Sequence, residues 1–218
     1  MSGWNEYWRD IMRLQNPFAA MSTTGLDSQV LTVLCRSDQF LTVDQIHRLL
    51  PEDGSAPGVR KSVVRLTNQG VVAERSVGRN LAFAFNREHL LADAILQIAD
   101  ARNTLIARLQ RVIATWEVQP LTVKIFGSAA RQQMRDDSDI DVLMVFPDGI
   151  SEDALDDAVG ELSAKLHVWT GNDVRPLLYR ASEVRSASIF DSILAEGIDV
   201  AGDPTWLRRH LRHQREVA

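Results

Sequence analysis

The chain is poor in the features that would make a protein secreted, disulfide-bonded, membrane-spanning or zinc-binding. Cys35 is its single cysteine, which excludes an internal disulfide and every zinc pattern built from several cysteines. A lone thiol of this kind is expected to pack into an apolar helix face. No run approaches the roughly 20 apolar residues that span a bilayer. The opening MSGWNEYWRDIMRLQNPFAAM carries Glu6, Arg9, Asp10 and Arg13 where a signal peptide needs an unbroken apolar stretch. A soluble, cytoplasmic protein with no membrane partner is therefore expected. Internal repeats and low-complexity tracts are also missing. His47, between Ile46 and Leu49, has no second histidine at metal-binding spacing, so it is read as a surface helix residue.

What is present is enough for folding. A length of 218 residues with 45% hydrophobic content can hold one large domain or two small ones, each with its own core. The net charge of −5 is unevenly spread: residues 1–86 carry nine Lys and Arg against eight Asp and Glu, and residues 87–218 carry fifteen against twenty-one. Within the first part, Arg60, Lys61, Arg65, Arg75 and Arg79 face one acid, Glu74, between Pro57 and Asn80. This is a compact basic patch in an acidic chain.

The patch falls in a readable local pattern. LDSQVLTVLCRS has Leu26, Val30, Val33 and Leu34 at helical spacing, and Thr42 with Gln45 can cap a short helix over TVDQIHRLL that ends at Pro51. A third helix fits APGVRKSVVRLTNQG, with Ser55 as its cap, Pro57 in its first turn and Gly70 at its left-handed stop. Val59, Val63 and Leu66 line one face of that helix, leaving Arg60, Lys61, Val64, Arg65 and Asn68 on another. VVAERS and LAFAFN then alternate as two strands around the turn VGRN. Helix, helix, basic helix and basic-tipped hairpin over residues 26–86 resemble a winged helix-turn-helix domain. The resemblance implies binding to double-stranded DNA, with Arg60, Lys61, Arg65 and Asn68 on the groove-facing helix and Arg75 and Arg79 on the wing. A basic helix face can also be merely solvated.

Residues 87–116 contain neither Gly nor Pro and read as one long helix. Leu91, Ile95, Ile98, Leu105, Leu109, Val112 and Trp116 form a stripe along it, interrupted at Arg102. Such a seam can pair with its copy in a homodimer, or pack on its own flanking domains. Trp4, Tyr7, Trp8, Ile11 and Met12 can form an amphipathic packing helix within residues 1–25.

The richest stretch is KIFGSAARQQMRDDSDIDVLMVF, Lys124 to Phe146. LTVKIF reads as a strand, followed by Gly127 and Ser128 where the chain should turn into the helix AARQQMR. Glycine lets backbone approach a ligand closely, and the free N–H groups of a helix start favour an anion, so a phosphate corner is expected. In SDIDVLMVF, Asp139 and Asp141 fall on one face of a strand whose other face carries Ile140, Val142 and Met144. Carboxylates in so apolar a setting need a partner. Magnesium bridging to substrate phosphates supplies one.

Gly127-Ser128, ten intervening residues, then Asp139-Ile140-Asp141 resembles the Gly-Ser-x10-Asp-x-Asp signature of minimal nucleotidyltransferases of the DNA polymerase β superfamily. The resemblance extends over about residues 118–202. It implies a mixed sheet flanked by helices, binding of a nucleoside triphosphate, ATP foremost, with Mg2+, and transfer of a nucleotidyl group to a hydroxyl. By that likeness Gly127, Ser128 and Arg131 would meet the triphosphate, and Asp139 and Asp141 would carry the metal. Asp136 and Asp137 read as solvated loop acids.

Two departures stand out. The family commonly has a third carboxylate on a later strand, here DVRPLLY, where the residue in register is Arg175 and the available acid is Asp173 at the strand's start. The glycine usual after the family's arginine is Gln132. ASEVRSASIFDSILAEGIDVAGD reads as a capped helix and a short strand, and PTWLRRHLRHQR as a basic, solvated tail helix. The expected fold is α/β (α+β), divided into a packing segment 1–25, a winged helix 26–86, a linking and dimerising helix 87–117 and a nucleotidyltransferase-like domain 118–218. Two functional readings follow. One is an Mg-dependent enzyme, with catalytic Asp139, Asp141 and Asp173, acting on a protein or RNA acceptor, autoregulated through its DNA-binding domain as toxin-antitoxin components are. The other is a catalytically inactive regulator that senses a nucleotide.

Overall fold

A computed structural model describes Gln15, residues 26–135 and residues 137–217. The segment expected to pack as an N-terminal helix, around Trp4 to Met12, and Asp136 lie outside the described residues. The described residues divide into two compact units, one ending at Arg102 and the other starting at Asn103.

In the first unit the order is α1 (Leu26–Cys35), β1 (Leu41–Thr42), α2 (Val43–Arg48), α3 (Ala56–Asn68), β2 (Val72–Val77) and β3 (Asn80–Phe85). The local signals do what their chemistry allows. Thr42 and Gln45 close a reciprocal capping box at α2. Ser55 accepts the Gly58 N–H at the head of α3, with Pro57 in the first turn. Gly70 takes φ 77° just past its end. The hairpin turns at Val77 to Asn80, with Gly78 at φ 62°. A third strand, β1, joins it, giving an antiparallel sheet of order β1-β3-β2. The two-residue β1 is too short to show a period, so the sequence pattern missed it. Val30, Leu34, Ile46, Val59 and Val63 are completely buried against Phe83 and Phe85. Each such side chain contributes about 1.5–3 kcal/mol. Cys35 belongs to this core, and burial pushes its thiol up to about 12, which keeps it protonated and inert.

The stretch 87–116 is two helices, not one: α4 (Ala92–Ala99) and α5 (Ala101–Ile113), parted at Asp100, whose ψ of 11° leaves the helical region. Ala92 and Ala99 are buried in the first unit's core, whereas Leu105, Leu109 and Ile113 belong to the second unit and are buried within the chain. The lower part of the expected dimer seam is therefore occupied within its own chain.

The second unit continues with β4 (Thr122–Phe126), α6 (Gly127–Arg131), β5 (Ile140–Phe146), α7 (Glu152–Thr170), β6 (Val174–Arg180), α8 (Ser188–Glu196), β7 (Ile198–Gly202) and α9 (Trp206–Val217). Its four-stranded sheet has the order β6-β5-β4-β7, antiparallel except for the β5–β6 pair, so it is mixed as expected. Ile140 and the run Val142 to Phe146 in central β5 are all fully buried, the sign of a strand covered on both faces. Leu143 and Val145 meet Phe190 and Ile193 of α8 and Leu207 and Leu211 of α9. Phe146 stacks on Trp116, with ring centroids 6.2 Å apart. Pro176 sits in edge strand β6, where proline is tolerated. Helix α8 begins at Ser188 without the side-chain cap expected for it. Among the described residues no helix is long and apolar enough to cross a membrane.

Candidate active site and nucleic-acid interface

Strand β4 delivers the chain to Gly127, which takes φ 69°, a left-handed conformation that glycine adopts without strain. A Cβ there would collide with the carboxylate of Asp141, which lies against the glycine. Cross-strand pairing sets this up, because Phe126 of β4 is the register partner of Asp141 in β5. The first N–H groups of α6 have no partners in the preceding turn. The helix is short: it runs only from Gly127 to Arg131 and ends at Gln132, which has φ 60°. Gln132 is the one non-glycine residue with positive φ among the described residues.

Asp139 stands one residue before β5, and its side chain is 19% exposed. The loop that carries it is pinned from β6: buried Asn172 donates Nδ2–H to the Ser138 carbonyl at 3.0 Å, and the Ile140 N–H donates to the Asp173 carbonyl at 2.8 Å. Asn172 escaped the sequence reading. Its signal is a polar residue directly after the Gly171 stop of α7, where burial makes an amide valuable for closing a loop.

Arg175 is the register partner of Asp141, as the sequence pattern requires. Its Nε lies 2.5 Å from Asp139 Oδ2. Asp173, the expected third acid, is not brought to the pair. Its carboxylate is 84% exposed and stands 3.6 Å from His167 Nδ1. Parity alone would have put it with Arg175, but the end of the strand lets its side chain turn to α7. Arg131 reaches Glu196 at 3.2 Å and Gln133 at 3.3 Å. Lys124, 4% exposed, forms an ion pair with Asp199 of β7. A lysine inside an apolar strand demands such a partner, which identifies the residue but not Asp199.

Burial raises the pKa of Asp141 above its ordinary value, and the charge of Asp139 adds to the rise, while Arg175 and Arg131 oppose it. The donors suit a divalent cation that takes one or two carboxylates and completes its shell with water and phosphate oxygens. No group of three or more His, Cys, Asp and Glu forms a fuller metal cage among the described residues.

In the first unit, Arg60, Lys61, Arg65 and Asn68 are all exposed on α3, and Arg75 and Arg79 are exposed on the hairpin. Two of these cations are engaged. Arg65 donates Nε–H to Asp27 at 2.7 Å, and the same carboxylate accepts from Ser62. The Arg75 guanidinium lies 4.0 Å above the ring of Phe40. No ion pair among the described residues holds Arg60, Lys61 or Arg79. In α9, Leu207 and Leu211 face inward while Arg208 and Arg212 are exposed, and Arg209 pairs with Asp203 at 2.5 Å.

Comparison with known proteins gives this arrangement a family context. Residues 109–189 match the model of the nucleotidyltransferase domain family. No curated protein matches the chain. Among solved structures, a toxin-antitoxin crystal structure with AMP-PNP aligns at 19% identity and a TM-score of 0.37, covering 52% of this chain and 84% of that one. A structure of the tri-AMPylated Shewanella oneidensis HEPN toxin with MNT antitoxin aligns at 15% identity and a TM-score of 0.34, covering 53% and 92%.

Proposed function

We propose that the chain is a nucleotidyltransferase that binds a nucleoside triphosphate, ATP foremost, with Mg2+ at the corner between β4 and β5, and that residues 26–86 bind double-stranded DNA. The observation that carries the first part is the Asp141 carboxylate seated against Gly127 with Asp139 beside it, inside the segment matched by the family model. Gly127 and Ser128 would hold phosphate oxygens at the head of α6, and Asp139 and Asp141 would hold the cation. The cation would neutralise phosphate charge and polarise the reacting phosphorus. A hydroxyl of a protein or RNA acceptor would attack the α-phosphorus; the new P–O bond forms as the bond to the β-phosphate oxygen breaks, the hydroxyl proton passes to solvent, and pyrophosphate leaves.

The test is thermal unfolding with and without ATP and magnesium. Ligand at 100 times its Kd adds about 2.7 kcal/mol. The shift should vanish in the folded double variant Asp139→Asn, Asp141→Asn. An unchanged shift in that variant would remove the site from the reading.

A second reading has its own observation. Arg175, a cation, is the register partner of Asp141, at the place where the family resemblance leads one to expect a third acid, which favours a nucleotide-sensing regulator without catalysis. Incubation with labelled ATP, CTP, GTP or UTP and cell extract separates the two, since only an enzyme labels a macromolecule. The DNA-binding part is supported by the exposed cations of α3 and the hairpin. Autoregulation as a toxin-antitoxin component is the biological setting we propose for the pair of activities. A homodimer, which paired half-sites would call for, must form outside the lower half of the 91–116 seam, because Leu105 and Leu109 are already buried within their own chain.

A further inference from the structure

The contact between Arg175 and Asp139 has unequal partners. Asp139 is largely covered and sits on a loop fixed on both sides, by Asn172 holding the Ser138 carbonyl and by the Ile140 N–H bound to Asp173. The Arg175 side chain is 74% exposed. A pair with so exposed a cation is weak, and the part free to move is the arginine. Its guanidinium already occupies Oδ2 of Asp139, an oxygen a divalent cation would need, and two cations cannot share that position without strong repulsion. The other cations nearby have carboxylates of their own, Arg131 on Glu196 and Lys124 on Asp199.

We propose that Arg175 is a latch on Asp139: a divalent cation enters fully only when Arg175 swings away, and the triphosphate of an incoming nucleotide draws it off. The inference rests on the nucleotide and cation site proposed above. A guanidinium fork matches phosphate oxygens in bidentate geometry, whereas its contact with Asp139 runs through Nε to the single oxygen Oδ2. Arg175 would thus exchange one anion for another, releasing Asp139 at the moment phosphate charge needs neutralising. Cation and nucleotide would bind with positive coupling, and the coupling would be reciprocal. Without nucleotide the site would be guarded against free divalent cations.

The experiment is Mn2+ binding to the full chain by titration calorimetry, alone and with a non-hydrolysable ATP analogue. Arg175→Gln should tighten Mn2+ binding to the nucleotide-free protein at least about fivefold, the lower end of ordinary coupling. The analogue should then improve Mn2+ binding less in Arg175→Gln than in the wild type. Arg131→Gln is the control, since it removes a positive charge that also acts on Asp141 but does not touch Asp139. Arg175→Met, which keeps an apolar stem, serves if the first variant does not fold. Equal tightening by Arg131→Gln and Arg175→Gln would reduce the effect to net charge and overturn the latch, as would unchanged Mn2+ affinity in folded Arg175→Gln. If the wild type and Arg175→Gln bind no Mn2+ even with the analogue, the cation site falls and the latch falls with it. Mn2+ binding that persists in Asp139→Asn at wild-type strength would take Asp139 out of the cation site and overturn the latch, while nucleotide binding at the corner stands or falls separately on the thermal shift with ATP.

Discussion

The carboxylate of Asp141 fills the space in which a Cβ on Gly127 would have to stand. A side chain at position 127 cannot enter unless Asp141 moves. Gly127→Ala must also hold alanine at φ 69°, a left-handed conformation that costs about 1–2 kcal/mol before any clash. Thermal unfolding should show that loss, and the stabilisation by ATP with magnesium should fall away. Full retention of both would mean that the corner is not built around this contact.

Asp141 predicts a pH dependence. Its pKa is raised from 3.8, chiefly by burial, so the folded protein holds this proton more tightly than the unfolded chain. The stability it contributes is complete below 3.8 and is lost as pH rises through the folded value. Asp141→Asn, neutral throughout, should therefore gain stability over the wild type at pH 7 in the absence of divalent cation, with the gain shrinking toward pH 4. Denaturant unfolding at the two pH values measures it. An advantage that grew on acidification would contradict the assignment.

Gln132 bears a backbone cost at the end of α6. Its φ of 60° and ψ of 38° suit glycine. Gln132→Gly should stabilise the protein by about 1 kcal/mol, a rise in Tm of roughly 2–4 °C. Calorimetry would settle the sign. A lower Tm would show that the glutamine side chain makes good its own backbone strain.

The basic face of the first unit separates into free and engaged cations. Arg79→Ala and Lys61→Ala, which break no ion pair among the described residues, should weaken binding to every DNA sequence and lower the log–log salt slope by roughly 0.9 each. Arg65 must leave Asp27 to read a base, so Arg65→Ala should relax sequence preference, by about 1–3 kcal/mol if a base pair is recognised. Fluorescence anisotropy across a salt series on selected and random duplexes gives both quantities. Binding that ignores salt would return this face to simple solvation.

What the sequence determined by itself was local. Caps, turns and alternation lie within a few residues of each other, so Thr42 with Gln45, Ser55 with Pro57 and the turn at Gly78 could be read directly. The Gly-Ser step after one strand and the aspartates at the head of the next were likewise legible, and strand pairing sets Asp141 against Gly127. The continuity of residues 87–116 misled, because an unbroken helical pattern does not report that Ala99 and Leu105 belong to different units. Only tertiary structure decided the partners. It gave Arg175 to Asp139, Asn172 to Ser138, Arg131 to Glu196, Asp27 to Arg65 and Asp173 to His167. The reason is physical: a side chain's periodicity fixes the face it occupies, but which charge it meets across that face depends on strand register and on loops closed by residues far away in the chain.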